Sequence, residues 1–390
     1  MHVQDLRVCY FGTYRANYSR NQVMMESLRR SGIEVVECHE ALWHGIEDRA
    51  QATRGGWLKP AFWWRVLRAY GRLLHRYVGV GSYDIMIVGY PGHFDVFLAR
   101  LLTWLRRKPL VWDVLMSINL IARERQLDRS GWVGRATVDI IGHLEALACR
   151  LPDRLLIITP QYVAWYNEIY GIEAERFRLV PLGADERLFS FEANGSDDSP
   201  NSDGFFHAVY YGNFVHSHGT EYIVEAARLL ADEQSIQFEL IGRGGERDSV
   251  RDLARRYGLT NVAFPGFLED DELVRRLRRA DVCLASFGLT PHSLITVHNK
   301  VFELLALARP MIIGQSPAMS QHFTHREHVY YCKREDAAAL AEAVRTVKGD
   351  QALLDRMARA GHEYFQAHFS MDKLALQLEQ HLRELVSTAH

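Results

Sequence analysis

The feature that most constrains this 390-residue chain is a strand that ends on glycine and leads into a helix and then a second strand. Leu6-Arg7-Val8-Cys9-Tyr10-Phe11 reads as an apolar strand ending at Gly12-Thr13-Tyr14. Asn21 to Arg30 reads as a helix closed by Ser31-Gly32, and Ile33 to Cys38 as the next strand. A strand, glycine turn, helix and strand in succession argue for a parallel, doubly wound α/β sheet. The pattern restarts at His207-Ala208-Val209-Tyr210-Tyr211, which ends in Gly212-Asn213-Phe214, and a loop over 216–219 leads into a helix from Thr220 to Ala231. Between the halves, Glu192 to Gly204 is rich in Asn, Asp, Ser and Gly and marks the clearest boundary. A chain this long exceeds most single cores, so two domains are expected.

Composition narrows the class. The chain is 48% hydrophobic and 24% charged with a net charge of −2, as in an ordinary soluble globular protein. No global pull toward nucleic acid follows from that balance. Cys9, Cys38, Cys149, Cys283 and Cys332 form no C-x-x-C pair, which argues against zinc and thioredoxin-like sites and for reduced core cysteines. The first residues do not read as a secretory leader, and no run reaches the ~18–20 apolar residues of a membrane span. The expectation is a cytoplasmic protein.

Ligands of open α/β sheets bind beyond the carboxyl ends of the strands, which makes Gly12 a candidate contact. G-x-G-x-x-G is absent there, which lowers the case for a nicotinamide enzyme. Asp84 to Gly89 reads as a strand followed by Tyr90-Pro91-Gly92-His93, and Pro109 to Asp113 as a strand ending on a carboxylate. His93 and Asp113 are therefore the titratable candidates for acid–base or orienting work, although a loop histidine is as easily a plain surface residue. Gln237 to Ile241 is a strand followed by Gly242-Arg243-Gly244-Gly245, where backbone N–H groups can approach a phosphate or simply turn the chain. His298-Asn299-Lys300-Val301-Phe302-Glu303 opens a short helix, and Ala308-Arg309-Pro310 stops it before the strand at Met311. A lysine in the first helical turn opposes the helix dipole and invites an anion, with a solvated surface lysine as the alternative.

Residues 54–80 stand apart. Trp57, Trp63, Trp64, Tyr70 and Tyr77 alternate with Lys59, Arg65, Arg68, Arg72, His75 and Arg76. An aromatic, basic helix suits peripheral contact with anionic lipid at the inner face of a membrane; a surface helix packed on its own sheet fits the same residues. Arg106-Arg107-Lys108 adds a second basic run.

Several motifs in order carry a family resemblance. Val180-Pro181-Leu182-Gly183-Ala184-Asp185 with Phe189, Tyr211-Gly212-Asn213-Phe214 with His218-Gly219, Leu240 to Gly244, Asn261 to Gly266, and Asn299-Lys300-Val301-Phe302-Glu303 with Arg309-Pro310 resemble the family 4 retaining glycosyltransferases. The resemblance implies the GT-B fold, two facing Rossmann-like domains. Residues 1–185 would be the acceptor side, completed by a C-terminal helix over 371–390 that crosses back. Residues 186–205 would be the linker and 206–370 the nucleotide-sugar domain. It also implies a donor bound by Gly12, Thr13, Asn213, His218, Gly219, Gly242, Arg243, Gly244, Asn299, Lys300 and Glu303. Glu303 would take the ribose hydroxyls and Lys300 the diphosphate. No metal and no cofactor beyond the nucleotide-sugar co-substrate is expected, and the acceptor would be a glycan or a lipid-linked sugar.

Three departures from the family pattern matter. Its phosphate-binding Arg and Lys fall at Asn213 and His218, so two fixed cations are replaced by an amide and an imidazole. Its first motif glutamate falls at Ile295, which leaves backbone, or the nearby His292 and Ser293, to contact the sugar. Its histidine near the strand ending Trp112-Asp113 is missing, so His93 or Asp113 would substitute. A non-catalytic glycosyltransferase-like subunit, or another GT-B enzyme such as a nucleotide-sugar epimerase, fits the same sequence.

Overall fold

The computed structural model describes residues 6–42, 60–125, 127, 131–191 and 203–388. Trp57 and Lys59, and most of the expected linker, lie outside them. The chain divides into two units, Met1–Leu182 with Met371–His390, and Gly183–Ser370. The expected 186–205 segment therefore begins inside the second unit.

The first unit runs β1 (Arg7–Gly12), α1 (Ser19–Arg30), β2 (Glu34–His39), α2 (Pro60–Val78), β3 (Ile85–Val88), α3 (Asp95–Arg106), β4 (Leu110–Leu115), α4 (Ile118–Glu124), α5 (Trp132–Ala148), β5 (Arg154–Ile157), α6 (Pro160–Tyr170) and β6 (Phe177–Leu179). Its strands are parallel in the order β2-β1-β3-β4-β5-β6. The direction of winding reverses between β1 and β3, so the loops after those two strands form the switch point. β4 continues two residues past Asp113, which therefore sits inside the strand rather than at its end.

The second unit runs β7 (Phe206–Asn213), α7 (Thr220–Leu229), β8 (Ile236–Arg243), α8 (Arg247–Arg256), β9 (Val262–Gly266), α9 (Asp270–Arg279), β10 (Val282–Leu284), α10 (Pro291–Ile295), α11 (Asn299–Ala306), β11 (Met311–Gly314), α12 (Pro317–Ser320), β12 (Tyr330–Cys332), α13 (Ala337–Lys348) and α14 (Gln351–His368). Its parallel order is β12-β11-β10-β7-β8-β9, with the reversal between β7 and β10. Sheet and helices close over a core that includes Tyr210, Phe214, Phe238, Leu240, Leu284 and Ile312.

The last helix, α15 (Met371–Thr388), returns to the first unit. Met371, Leu374, Leu378, Leu382 and Leu385 recur at helical spacing and are buried with Val8, Tyr10, Ile85 and Ile87 of the sheet and Val23 and Leu28 of α1. All five cysteines are buried and free, as the scattered spacing suggested.

Candidate functional site

In the first unit the switch-point residues are tied to one another. Gly12 ends β1 with φ +135°, and a Cβ there would come within 2.6 Å of Asp95 Oδ2. The Thr13 backbone N–H donates to Asp95 Oδ2 at 2.7 Å, the Thr13 hydroxyl to Oδ1 at 3.0 Å, and the Tyr70 hydroxyl to Oδ1 at 2.7 Å. An internal carboxylate thus occupies the place by Gly12 and Thr13 where a donor phosphate was expected. Burial raises the Asp95 carboxyl above its ordinary range, against these three donors.

His93 and Asp113, the two acid–base candidates, are both drawn inward. Asp113 is fully buried and held on both oxygens by Arg20, Nε at 2.8 Å and Nη2 at 2.9 Å. Arg20 Nη1 also donates to the Pro181 carbonyl at 2.6 Å. His93 Nε2 lies 3.3 Å from Glu145 Oε1. Glu145 further accepts from Ser117 Oγ, the Ile118 and Asn119 N–H groups, Tyr166 and Tyr170. Burial alone would raise that carboxyl, but these donors with His93 outweigh it and hold it below the usual range. The Glu145 charge places the His93 proton on Nε2 and leaves Nδ1 as a buried atom without a partner. Both side chains are built as positioning pairs within the domain.

In the second unit the loops after β7, β8 and β10 converge on the start of α11. Gly242 carries φ +134°, and a Cβ on it would fall 2.0 Å from the Gly212 carbonyl oxygen. The β7 and β8 ends, paired Gly212 to Gly242 and Asn213 to Arg243, can approach this closely only without a side chain there. Gly244 packs against the Phe214 backbone in the same way. These glycines are thus required by loop-to-loop packing. Arg243 is exposed, with its guanidinium 4.6 Å from the Phe267 ring centroid.

Lys300 is buried, not solvated. Its ammonium lies 4.1 Å from the Tyr210 ring centroid and 3.5 Å from the Ala285 carbonyl, beneath Gly212. Among the described residues no carboxylate pairs with it. Burial lowers its pKa to about 7, against the opposing pull of Glu303. Burial likewise raises Glu303 to about 7, against a hydrogen bond from the Tyr211 hydroxyl to Oε2 at 2.5 Å and the Lys300 charge. An ammonium that forms no ion pair, beside a carboxyl group with one oxygen outside that bond, suits a ligand carrying both an anion and hydroxyls.

His218 and Gly219 close the β7 loop. His218 Nδ1 donates to the Asn213 carbonyl at 2.7 Å, and the Tyr210 hydroxyl bonds the same oxygen at 2.8 Å. Burial, with the Lys300 charge second, holds the imidazole well below its ordinary pKa, so it is neutral and its Nε2 offers a lone pair. The His298 ring lies 5.0 Å from His218 and 6.1 Å from His292, and its Nε2 is buried without a partner. Sequence reasoning missed His298, although it is the residue preceding α11 and adjoins two expected site residues. Asn299 is half-buried at the first position of α11.

The two expected sugar contacts separate. His292 is buried, with Nδ1 at 3.2 Å from the Thr296 hydroxyl. Ser293 is fully buried and forms a capping box with Thr290, its hydroxyl also donating to the Gly288 carbonyl at 2.7 Å. Such a hydroxyl is committed to the start of α10. Tyr211 stood in a strand and at the head of a family-like motif, but nothing local marked it as the partner of Glu303, 92 positions away.

Comparison with known proteins agrees with this architecture. Residues 206–350 match the family model of Glycosyl transferases group 1. Glycogen synthase of Mycobacterium tuberculosis is 24% identical over 279 residues, covering 70% of this chain and 65% of the relative, so the match spans less than two thirds of that protein's length. The lipopolysaccharide core biosynthesis glycosyltransferase LpsE of Rhizobium meliloti is 27% identical over 164 residues, 42% of this chain and 45% of LpsE. Among solved structures, sucrose-phosphate synthase of Thermosynechococcus elongatus superposes with a TM-score of 0.70 at 18% identity, over 98% of this chain and 100% of the other. Anabaena HepE in complex with UDP gives 0.68 at 14% identity, over 97% and 99%. The fold is that of the GT-B glycosyltransferases.

Proposed function

We propose that this chain, whose residues 206–350 match the family model of Glycosyl transferases group 1, moves a sugar from a nucleoside-diphosphate donor to a glycan or lipid-linked acceptor. The transfer would retain the configuration at the sugar carbon and use no metal. The observation that carries this reading is the buried Lys300 ammonium at the β7/β10 switch point, which forms no ion pair with a carboxylate among the described residues. A buried charge of this kind costs several kcal/mol unless a ligand compensates it. A diphosphate does so, and sugar transfer requires negative charge to be stabilised where the diphosphate departs.

Glu303 would accept hydrogen bonds from ribose hydroxyls on the oxygen not bonded by Tyr211. Lys300 would draw the diphosphate toward the loops after β7 and β10, holding the sugar carbon where an acceptor hydroxyl reaches it from the same face. Solved HepE binds UDP, which makes UDP the first nucleotide to test. LpsE is named for lipopolysaccharide core biosynthesis and the other relative as a glycogen synthase, which supports the acceptor class.

The test is thermal shift against a panel of nucleoside diphosphates, followed by transfer and hydrolysis assays with the matched sugar donor. Ligand at 100 times Kd stabilises a protein by about 2.7 kcal/mol. The expected result is a shift with one nucleotide, lost in Lys300→Ala, and turnover of its sugar conjugate. No shift with any nucleotide would sink the proposal. A second reading, a nucleotide-holding partner subunit, draws on Asn213 and the neutral His218 standing where the related motif has cations; binding without transfer or hydrolysis would select it.

A further inference from the structure

The outer surface of α2 and α3 in the first unit is sorted by chemistry in a way its own packing does not use. Ala69, Leu73 and Tyr77 of α2 face inward and are buried. Arg68, Arg72 and Arg76 line one flank, where Arg72 and Arg76 reach Glu40 beside β2 at 3.2 and 3.1 Å. The opposite flank carries Trp63, Trp64, Leu67, Leu74 and Val78, all exposed, with Trp64 at 70% and Val78 at 78%. A helix puts residues three and four apart on one face, so these five form a continuous apolar stripe.

That stripe lies on the α3 side. Tyr70, between the buried face and the stripe, bonds Asp95 at the start of α3, and Arg106 at the end of α3 lies 4.6 Å from the Tyr77 ring centroid. The two helices therefore run side by side in the same direction. Leu101, Trp104 and Leu105 of α3 are exposed as well, with Trp104 at 68%. The Arg106-Arg107-Lys108 run ends this helix. Tyr70 and Tyr77, grouped by sequence with the exposed tryptophans, are inward residues instead.

We propose that the paired outer faces of α2 and α3 dock on an anionic lipid surface. Tryptophan and leucine would enter the headgroup and acyl boundary, while the flanking arginines meet lipid phosphates. Charge decides the occupant. Residues 60–108 hold eight Lys and Arg against two Asp, with Glu40 pairing with Arg72 and Arg76 and Asp153 with Arg100, so that Arg68, Arg106 and Arg107 carry the excess. Of the two Asp, Asp95 is buried, and Asp84 caps the Arg7 N–H and pairs with Lys108. A second copy of this face would set two cationic flanks against each other, which association disfavours. No described helix is long and apolar enough to cross a membrane, so the contact is peripheral. The proposal is independent of how the second unit is used.

The test is co-sedimentation of the full chain with vesicles of phosphatidylcholine alone and of phosphatidylcholine with phosphatidylglycerol. Binding is expected to the anionic vesicles and to weaken with salt. Trp64→Glu with Trp104→Glu should reduce it by at least about tenfold. Arg68→Gln and Arg107→Gln should each weaken it about fivefold. Circular dichroism and an unchanged melting temperature confirm that these surface variants remain folded. Absence of binding by the parent chain, or binding that the tryptophan variants leave intact, would overturn the proposal. So would a concentration-dependent dimer abolished by the same variants in a chain that ignores lipid.

Discussion

Arg20 and Asp113 form a closed pair, both oxygens of the carboxylate held by one guanidinium and both side chains without exposed surface. The pair ties α1 to β4, and through the Pro181 carbonyl it also holds the chain beyond β6. With neither side chain exposed, the Asp113 carboxylate is not open to a substrate.

Removing one partner of such a pair leaves a buried charge uncompensated. Asp113→Asn should lose about 3–5 kcal/mol of stability, and a double replacement of Arg20 and Asp113 by leucine should recover much of it. Urea denaturation measures both. An Asp113→Asn chain that unfolds at the parent midpoint yet loses turnover would return Asp113 to the chemistry.

Lys300 and Glu303 predict opposite pH limbs. Glu303 titrates near 7 in the folded chain and near 4.5 when unfolded, so between those values the folded state binds more protons and stability falls as pH rises. Lys300 titrates near 7 folded and near 10.5 unfolded, so over that range the unfolded state binds more protons and stability rises with pH. Glu303→Gln should flatten the acid limb and Lys300→Met the alkaline one in denaturation across pH.

Nucleotide binding should take up protons near and somewhat above pH 7, because a diphosphate beside Lys300 favours the ammonium. Calorimetric titration in buffers of different ionisation enthalpy reads this directly. Equal heats in all buffers would separate the anion from Lys300.

Gly242 and Gly245 stand close in sequence and should differ sharply. A methyl at Gly242 meets the Gly212 carbonyl at 2.0 Å with positive φ, whereas nothing lies within 4 Å of one at Gly245. Gly242→Ala is expected to cost at least about 2–3 kcal/mol and Gly245→Ala to lie within about 0.5 kcal/mol of the parent. Chemical denaturation of the two variants tests it.

Ser293→Ala should cost about 1 kcal/mol through the lost cap and leave the KM for the sugar donor unchanged. A raised KM at unchanged stability would restore Ser293 as a sugar contact.

The sequence by itself determined the local alternation and its limits. The turn after Phe11, the helix from Thr220, the stop at Ala308-Arg309-Pro310 and the leucine spacing of α15 are all set by neighbours within a few residues, where propensity and periodicity act. It also marked Lys300 and Glu303, because one helical turn places both near the same end of α11. Only the tertiary structure decided what each polar group meets. Arg20 reaches Asp113 across 93 positions, Tyr211 reaches Glu303 across 92, and Asp95 reaches back 82 to Thr13. Strand order brings these side chains together, and burial then gives their charges an energetic weight that spacing along the chain does not carry.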